Sequence, residues 1–211
     1  WTDDPSRLLA AHVPPEVTFA TKPRLARAMI ERAIAAKVPF MWVAADSVYG
    51  VGEIETALRR AGKGYVLGVN GTHLFHSWGD KPAVAGTAEE IAQALPASAW
   101  ARLSAGEGTK GPRLHDWAYL ELADLEAAEY DDSLFGLWTR GLLIRRSIAD
   151  GELAFFSTWC PAGTGIVSHW TPWAVLMRLR FRQSFFVYWT ASYRTNSSAC
   201  RIRSKYPFHG T

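Results

Sequence analysis

Residues 40–46 read FMWVAAD, and this short stretch decides which fold class the sequence predicts. Its six apolar residues do not alternate with polar ones, which is typical of a central strand covered on both faces. Asp46 follows directly, at the carboxyl end of that predicted strand. Ligands and metals gather at this edge of open α/β sheets, so Asp46 is a candidate site residue. A turn or cap role is the plain alternative for a single aspartate.

The segments around this strand alternate between helix and strand patterns. A helix with apolar residues at helical spacing is predicted from Pro23 and ends before Pro39. A second helix is predicted to end at Gly62, ahead of the apolar run YVLGV at 65–69. Residues 23–70 therefore predict helix, strand, helix, strand, with parallel strands joined by a right-handed crossover.

The second half of the sequence has a different pattern. A capping box that begins at Thr87 predicts a short helix. Three runs with strand character follow, and a tight-turn signal at 149–152 (ADGE) separates the last two. The three predicted strands cover residues 117–122, 138–148 and 153–159. The prediction is an antiparallel β-rich insertion beside a parallel core.

Other candidate sites are weaker. The glycine-rich stretch 104–111 (SAGEGTKG) does not match the phosphate-loop pattern, so it is predicted to be a surface loop. A basic loop that places Lys110 and Arg113 near DNA phosphates is the functional alternative. His73 and His76 have metal-like spacing, but no cysteine or third histidine lies near them in the sequence.

The composition excludes several classes of protein. The chain has 211 residues, of which 48% are hydrophobic and 20% charged, so general disorder is excluded. Two cysteines exclude a disulfide-dense scaffold. No apolar run reaches the roughly 18 residues of a membrane helix, and no signal peptide opens the sequence. A cytoplasmic protein without membrane contact is expected.

The charge is distributed unevenly. All 20 acidic residues lie before Ile166, whereas residues 166–211 carry seven arginines and lysines. Such asymmetry often indicates a tail that binds nucleic acid. An alternative is that this tail is not ordinary folded sequence.

Six segments between Trp1 and Gly165 together resemble one family. In chain order they are WTDDPSR, VPPEVTFATKPRLARAMIERA, WVAADSVYG, LRRAGKGYVLGVN, RLSAGEGTKGPRLHDWA and LLIRRSIADGELAFF. Their order and spacing resemble insertion-sequence transposases of the DDE superfamily. These proteins have an RNase H-like catalytic core and a β-rich insertion, so the resemblance implies an α/β fold with a partial core of that type.

The resemblance also implies a chemistry. The family cuts and joins DNA at transposon ends, with three acidic residues that hold two divalent metals, Mg²⁺ or Mn²⁺. Asp46 corresponds to the second acid, as catalytic residue and metal ligand. The first acid would lie before Trp1, and Leu176 stands where the third, a glutamate, is expected. A truncated and frameshifted fragment without activity is therefore expected.

This interpretation divides the chain into three parts. Residues 1–70 are predicted to be part of the RNase H-like core, 71–165 a linker helix and β-rich insertion, and 166–211 an aberrant basic tail read out of frame. Missing first strands would leave an unpaired sheet edge. The alternative function is a non-catalytic DNA-binding or inhibitory fragment that pairs with a full-length transposase. An active form would be associated with the bacterial nucleoid.

Overall fold

The structure is a computed structural model with four α-helices, one short 3-10 helix (Ala97–Ala99) and nine strands in its described part. It describes residues 4–14, 16–77, 81, 83–108, 111–122, 138–163 and 186–188, with backbone alone for 105–108 and 186–188. The helices are α1 (Pro5–Ala10), α2 (Lys22–Ala35), α3 (Gly52–Arg60) and α4 (Ala88–Ala94). The strands are β1 (Trp42–Ala45), β2 (Gly64–Val69), β3 (Leu74–Ser77), β4 (Val84–Thr87), β5 (Ala101–Gly108), β6 (Gly111–Leu122), β7 (Trp138–Ser147), β8 (Leu153–Pro161) and β9 (Phe186–Tyr188).

Local capping signals define the helix ends, as the sequence predicted. The Thr21 hydroxyl accepts a hydrogen bond from the backbone N–H of Arg24 at the start of α2. Gly62, after α3, has φ of +61°, the left-handed region that favours glycine at a helix end. Thr87 and Glu90 form the predicted capping box of α4, each side chain accepting from the other's backbone N–H.

Seven strands form one mixed sheet in the order β5-β6-β7-β8-β2-β1-β9. β1 and β2 are parallel, with Trp42 opposite Gly64 and Ala45 opposite Leu67, which confirms the predicted parallel pair. β8 pairs antiparallel with β2, so the antiparallel strands β5–β8 extend the sheet of the parallel pair. The predicted α/β class is confirmed, and the mixed sheet is compatible with a partial RNase H-like core.

The sheet has two faces that are packed differently. On the front face, α2 and α3 cover β1 and β2, while α4 and the β3–β4 hairpin cover β6, β7 and β8. The back face carries its own apolar cluster, whose buried members all come from the sheet. These back-face residues are Ala44, Val66, Trp117, Leu143 and Phe156.

Two expectations from the sequence are wrong. The stretch 104–111 is not a surface loop, because β5 continues to Gly108 and β6 begins at Gly111. Backbone pairing with β6 overrides a glycine-rich composition that locally favours a loop. The outer edge of β1 is also paired, because β9 lies antiparallel to it with Val43 opposite Val187. None of the helices in the described ranges is both long and apolar enough to cross a membrane.

Candidate functional site

Asp46 lies at the carboxyl end of β1, where the sequence predicted it. Its Oδ1 accepts a hydrogen bond from the backbone N–H of Val48 at 3.0 Å. Its carbonyl oxygen accepts one from the N–H of Tyr49, also at 3.0 Å. These two contacts define a tight turn that the aspartate side chain stabilises. Asp46 therefore has the turn role, and its half-buried carboxylate also stands at the strand edge where ligands bind in such sheets.

Gly68 of β2 fixes where this turn lies. A Cβ atom at Gly68 would be 2.7 Å from the backbone N of Ser47 and 2.9 Å from the carbonyl carbon of Asp46. A Cβ atom at Gly50 would likewise clash with the carbonyl group of Gly68. The two backbones approach this closely only because both positions are glycine. The sequence-based prediction missed Gly68, although a glycine inside an apolar strand is the usual signal of such an approach.

Tyr49 is the titratable neighbour of Asp46 in this turn. Burial raises the pKa of its phenol, and the negative charge of Asp46 raises it further. The phenol therefore stays neutral across the physiological pH range. It contributes a hydroxyl group and an aromatic surface beside the carboxylate, but no charge.

The described side chains do not by themselves fit a divalent-metal centre. A Mg²⁺ ion in a phosphoryl-transfer site takes hard oxygen ligands, and a two-metal centre needs several carboxylates. In the described part of the chain, no group of three or more His, Cys, Asp or Glu side chains could hold a metal ion. One oxygen of Asp46 is already engaged with Val48. The described residues alone therefore do not support a metal-dependent catalytic step.

The two predicted DNA-contact residues are not part of the Asp46 region. Lys110 lies outside the described residues. Arg113 lies on β6, which β7, β8 and β2 separate from β1 in the sheet. It shares the back face of β6 with His115, whose pKa Arg113 helps to lower. The structure thus places Arg113 with other basic residues on the antiparallel strands, away from the candidate acid.

The region around Asp46 falls inside a family match. The family model described as DDE superfamily endonuclease matches residues 1–112. The chain belongs to this family. The match covers β1, Asp46, α3 and β2, and it confirms the resemblance to DDE-type transposases. Separate searches of curated proteins and of solved structures found no match.

Membership of the DDE superfamily endonucleases gives the general chemistry. Enzymes of this superfamily act on DNA and generally use divalent metals. For this chain, membership implies a DNA substrate and a transposase-like nuclease domain. Asp46 lies within the matched range and directly follows strand β1.

Proposed function

We propose that this chain is part of a transposase that cuts and joins DNA at insertion-sequence ends, and that Asp46 is one of its catalytic, metal-binding carboxylates. The observation that carries the proposal is the position of Asp46 directly after buried β1, within the family match. The contact of its turn with Gly68 supports it, because catalytic carboxylates need a fixed backbone. Mg²⁺ or Mn²⁺ is the proposed cofactor of the family chemistry.

We further propose that the 211-residue polypeptide alone does not cleave DNA. Two-metal cleavage needs several carboxylates, and the described residues supply no such group. Leu176 also stands where the resemblance expects a glutamate. The division proposed from the sequence follows: core residues in 1–70, the linker helix and β-rich insertion in 71–165, and an out-of-frame basic tail in 166–211. A cytoplasmic location, beside the nucleoid DNA, is part of the same proposal.

Plasmid nicking tests both statements. Supercoiled plasmid is incubated with the chain and Mg²⁺ or Mn²⁺, and conversion to the open circle is measured. We expect none above the rate seen with EDTA. Metal-dependent nicking that Asp46→Asn abolishes would contradict inactivity but support the role of Asp46. Nicking that survives Asp46→Asn would contradict the assignment of Asp46.

The matched control for this variant is Asp150→Asn. Asp150 Oδ1 accepts from the backbone N–H of Glu152 at 3.1 Å, the same turn contact that Asp46 makes with Val48. Both variants therefore weaken one aspartate-stabilised turn, and only one of them changes the strand edge. Thermal melting of both shows whether any functional difference reflects loss of folding.

A non-catalytic DNA-binding role is the second candidate, in which the chain inhibits a full-length transposase by pairing with it or by occupying its DNA ends. The lack of a metal-binding group among the described residues favours it over cleavage. Co-expression with a complete transposase of this family is the test, with transposition frequency as the readout. A lower frequency is expected, and an unchanged frequency at equal protein levels would contradict inhibition.

A further inference from the structure

The outer side of α2 carries a line of exposed residues. Lys22, Leu25, Met29 and Arg32 recur at steps of three and four positions, so they follow one another along the same side of the helix. Ala28 lies beside this line, and all five side chains are exposed. Leu25 is 44% and Met29 40% exposed, so the middle of the line is apolar and its two ends are basic. These five residues are here named the α2 stripe.

Helix geometry places the α2 stripe away from α3. Arg27 Nη1 lies 3.8 Å from Glu53 Oε2, so the Arg27 side of α2 faces α3. At 100° per residue, Leu25 and Met29 are each about 160° from Arg27 around the helix axis. The buried residues of α2 point in a third direction, toward the sheet. The stripe therefore lies on a side of α2 that neither α3 nor the sheet covers.

The positive charges of the stripe are not neutralised within the described part of the chain. Lys22 and Arg32 make no ion pair with any described side chain. On the opposite side of the same helix, by contrast, Arg27 pairs with Glu31 at 2.8 Å. Charges that complement each other across an interface fix its register and exclude wrong partners. An apolar patch between two unpaired cations therefore suits a partner in which acidic residues surround apolar ones.

The sequence contains a segment with this chemistry. Residues 123–132 (ADLEAAEYDD) hold five of the 20 acidic residues of the chain and no arginine or lysine. Leu125 and Tyr130 stand among these acids in the sequence. The segment is thus opposite to the α2 stripe in charge, and it brings apolar side chains to match Leu25 and Met29.

The order of the strands separates the stripe and the acidic segment of one copy. The segment follows β6, which ends at Leu122, and precedes β7, which begins at Trp138. In the sheet, β8 and β2 lie between β7 and β1, and α3 packs over β2 and β8 beside α2. Within one copy, the segment would have to pass over both helices to reach the far side of α2. A second copy can present its segment there directly.

We propose that the α2 stripe is a docking surface for residues 123–132 of a second copy of this chain. In a two-fold symmetric pair, each copy supplies one stripe and one acidic segment, so the same contact forms twice. Lys22 and Arg32 pair with carboxylates, while Leu25 and Met29 are removed from water. This pairing is independent of Asp46 and of DNA chemistry. It also supplies a surface through which the chain pairs with a longer transposase that carries the same segments.

Analytical ultracentrifugation of the full chain over a range of concentrations tests this pairing. We expect a monomer–dimer equilibrium whose dissociation constant rises with salt, because salt screens the charges at the contact. A stripe variant, Lys22→Glu with Arg32→Glu, should raise the dissociation constant about ten-fold or more, since like charges then face each other in both contacts. An acid variant, Glu126→Lys with Glu129→Lys, should do the same. A wild type that stays monomeric at low salt would overturn the proposal.

An equimolar mixture of the two variants separates a specific contact from a general effect of charge. In a mixed pair, the unchanged segment of the stripe variant meets the unchanged stripe of the acid variant. The two reversed surfaces also attract each other. We therefore expect the mixture to dimerise with a dissociation constant within about three-fold of the wild-type value. A mixture that associates no more tightly than either variant alone would contradict the pairing.

The matched control is Arg24→Glu with Arg60→Glu. Both arginines are exposed and lie in helices, and the double change alters the net charge as much as the stripe variant does. Arg24 is about 100° from Leu25 around α2, and Arg60 belongs to α3, so neither is part of the stripe. We expect the dissociation constant to stay within about two-fold of the wild type. A loss equal to that of the stripe variant would overturn the proposal.

Folding and function are checked separately. Thermal melting of the stripe variant as a monomer should match that of the wild-type monomer, because both replaced side chains are exposed. If its melting temperature falls, the mixture still decides, since an unfolded chain cannot restore the dimer. Failure of the pairing leaves the assignment of Asp46 intact, because plasmid nicking tests that assignment on its own.

Discussion

The front and back faces of the sheet differ in how the charged and polar side chains of β6 and β7 are paired. On the front face, Asp116 lies between two arginines, 2.9 Å from Arg102 Nε and 3.2 Å from Arg146 Nη2. The Arg146 guanidinium also lies 4.1 Å from the centre of the Trp100 ring. On the back face, His115 Nδ1, Trp117 Nε1 and Arg145 Nε are buried and have no hydrogen-bond partner among the described residues. The charges around Asp116 are therefore paired with one another, whereas the described residues around Trp117 offer these three atoms no partner.

The largest expected effect tests whether both faces are packed cores. Leu142 and Leu143 are consecutive on β7 and both fully buried. Leu142 packs in the apolar core of the front face, and Leu143 packs in the apolar cluster of the back face. Replacing either by alanine should lower the free energy of unfolding by about 2–5 kcal/mol, through lost burial and a cavity. Urea denaturation followed by tryptophan fluorescence measures both. A loss below about 1 kcal/mol for Leu143→Ala alone would mean that the back face is not a core.

A smaller loss of stability is expected from a substitution at Gly141, against which side chains of the back face pack directly. A Cβ atom at Gly141 would clash with the Tyr119 ring and lie 2.6 Å from Thr158 Oγ1. Gly141→Ala should therefore destabilise the fold by about 1–3 kcal/mol, the usual range for overpacking. Gly52→Ala is the control, because a Cβ atom there meets nothing within 4 Å. If both variants unfold at the same urea concentration, the back face is looser than described.

The smallest expected effect is a difference between the two faces in the pH range over which stability changes. The hydrogen bond from Arg102, together with that from Arg146, lowers the pKa of Asp116 below its ordinary 3.8. Burial and the two neighbouring arginines lower that of His115 below 6.5. In both cases the unfolded chain binds protons more readily, so each contribution is present above the ordinary pKa and is lost as the pH falls below it.

Melting temperatures of Asp116→Asn and His115→Gln, compared with the wild type across pH, provide the measurement. The difference for His115→Gln should change mainly between roughly pH 7 and 5, and that for Asp116→Asn below roughly pH 4. If the two variants differ from the wild type in the same pH window, the assignment of separate titrations to the two faces is wrong.

Elements with strong local signals were predictable from the sequence. Thr21, Gly62 and the capping box at Thr87 each act within a few residues of themselves, so their patterns predicted the helix ends that the structure has. The turn at 149–152 is equally local: the backbone N–H of Gly151 donates to the carbonyl of Ser147. The local order of residues was sufficient to predict these elements.

Elements that depend on pairing with another strand were not predictable. β5 and the start of β6 have a glycine-rich sequence, and they are strands because they pair with each other, with Gly108 opposite Gly111. β9 pairs with β1 across more than 140 residues of chain, since Val43 lies opposite Val187. The composition of each segment does not contain this information, so the sequence favoured a loop in the first case and an unpaired edge in the second.

The candidate site shows the same division. Asp46 was predictable because it directly follows a buried apolar run. The part played by Gly68 was not, because it depends on the distance between two backbones. Trp117 of β6 and Arg145 of β7 are likewise neighbours only through the strand register, although about 30 positions of chain separate them.

The continuous sheet fixes the distance between residues on its different strands. Asp46 directly follows β1 and Arg145 lies on β7, with β2 and β8 between the two strands. Three strand spacings of about 4.8 Å separate β1 from β7 by roughly 14 Å. Hydrogen-bonded strand pairing sets this separation, so the motion of side chains changes it little.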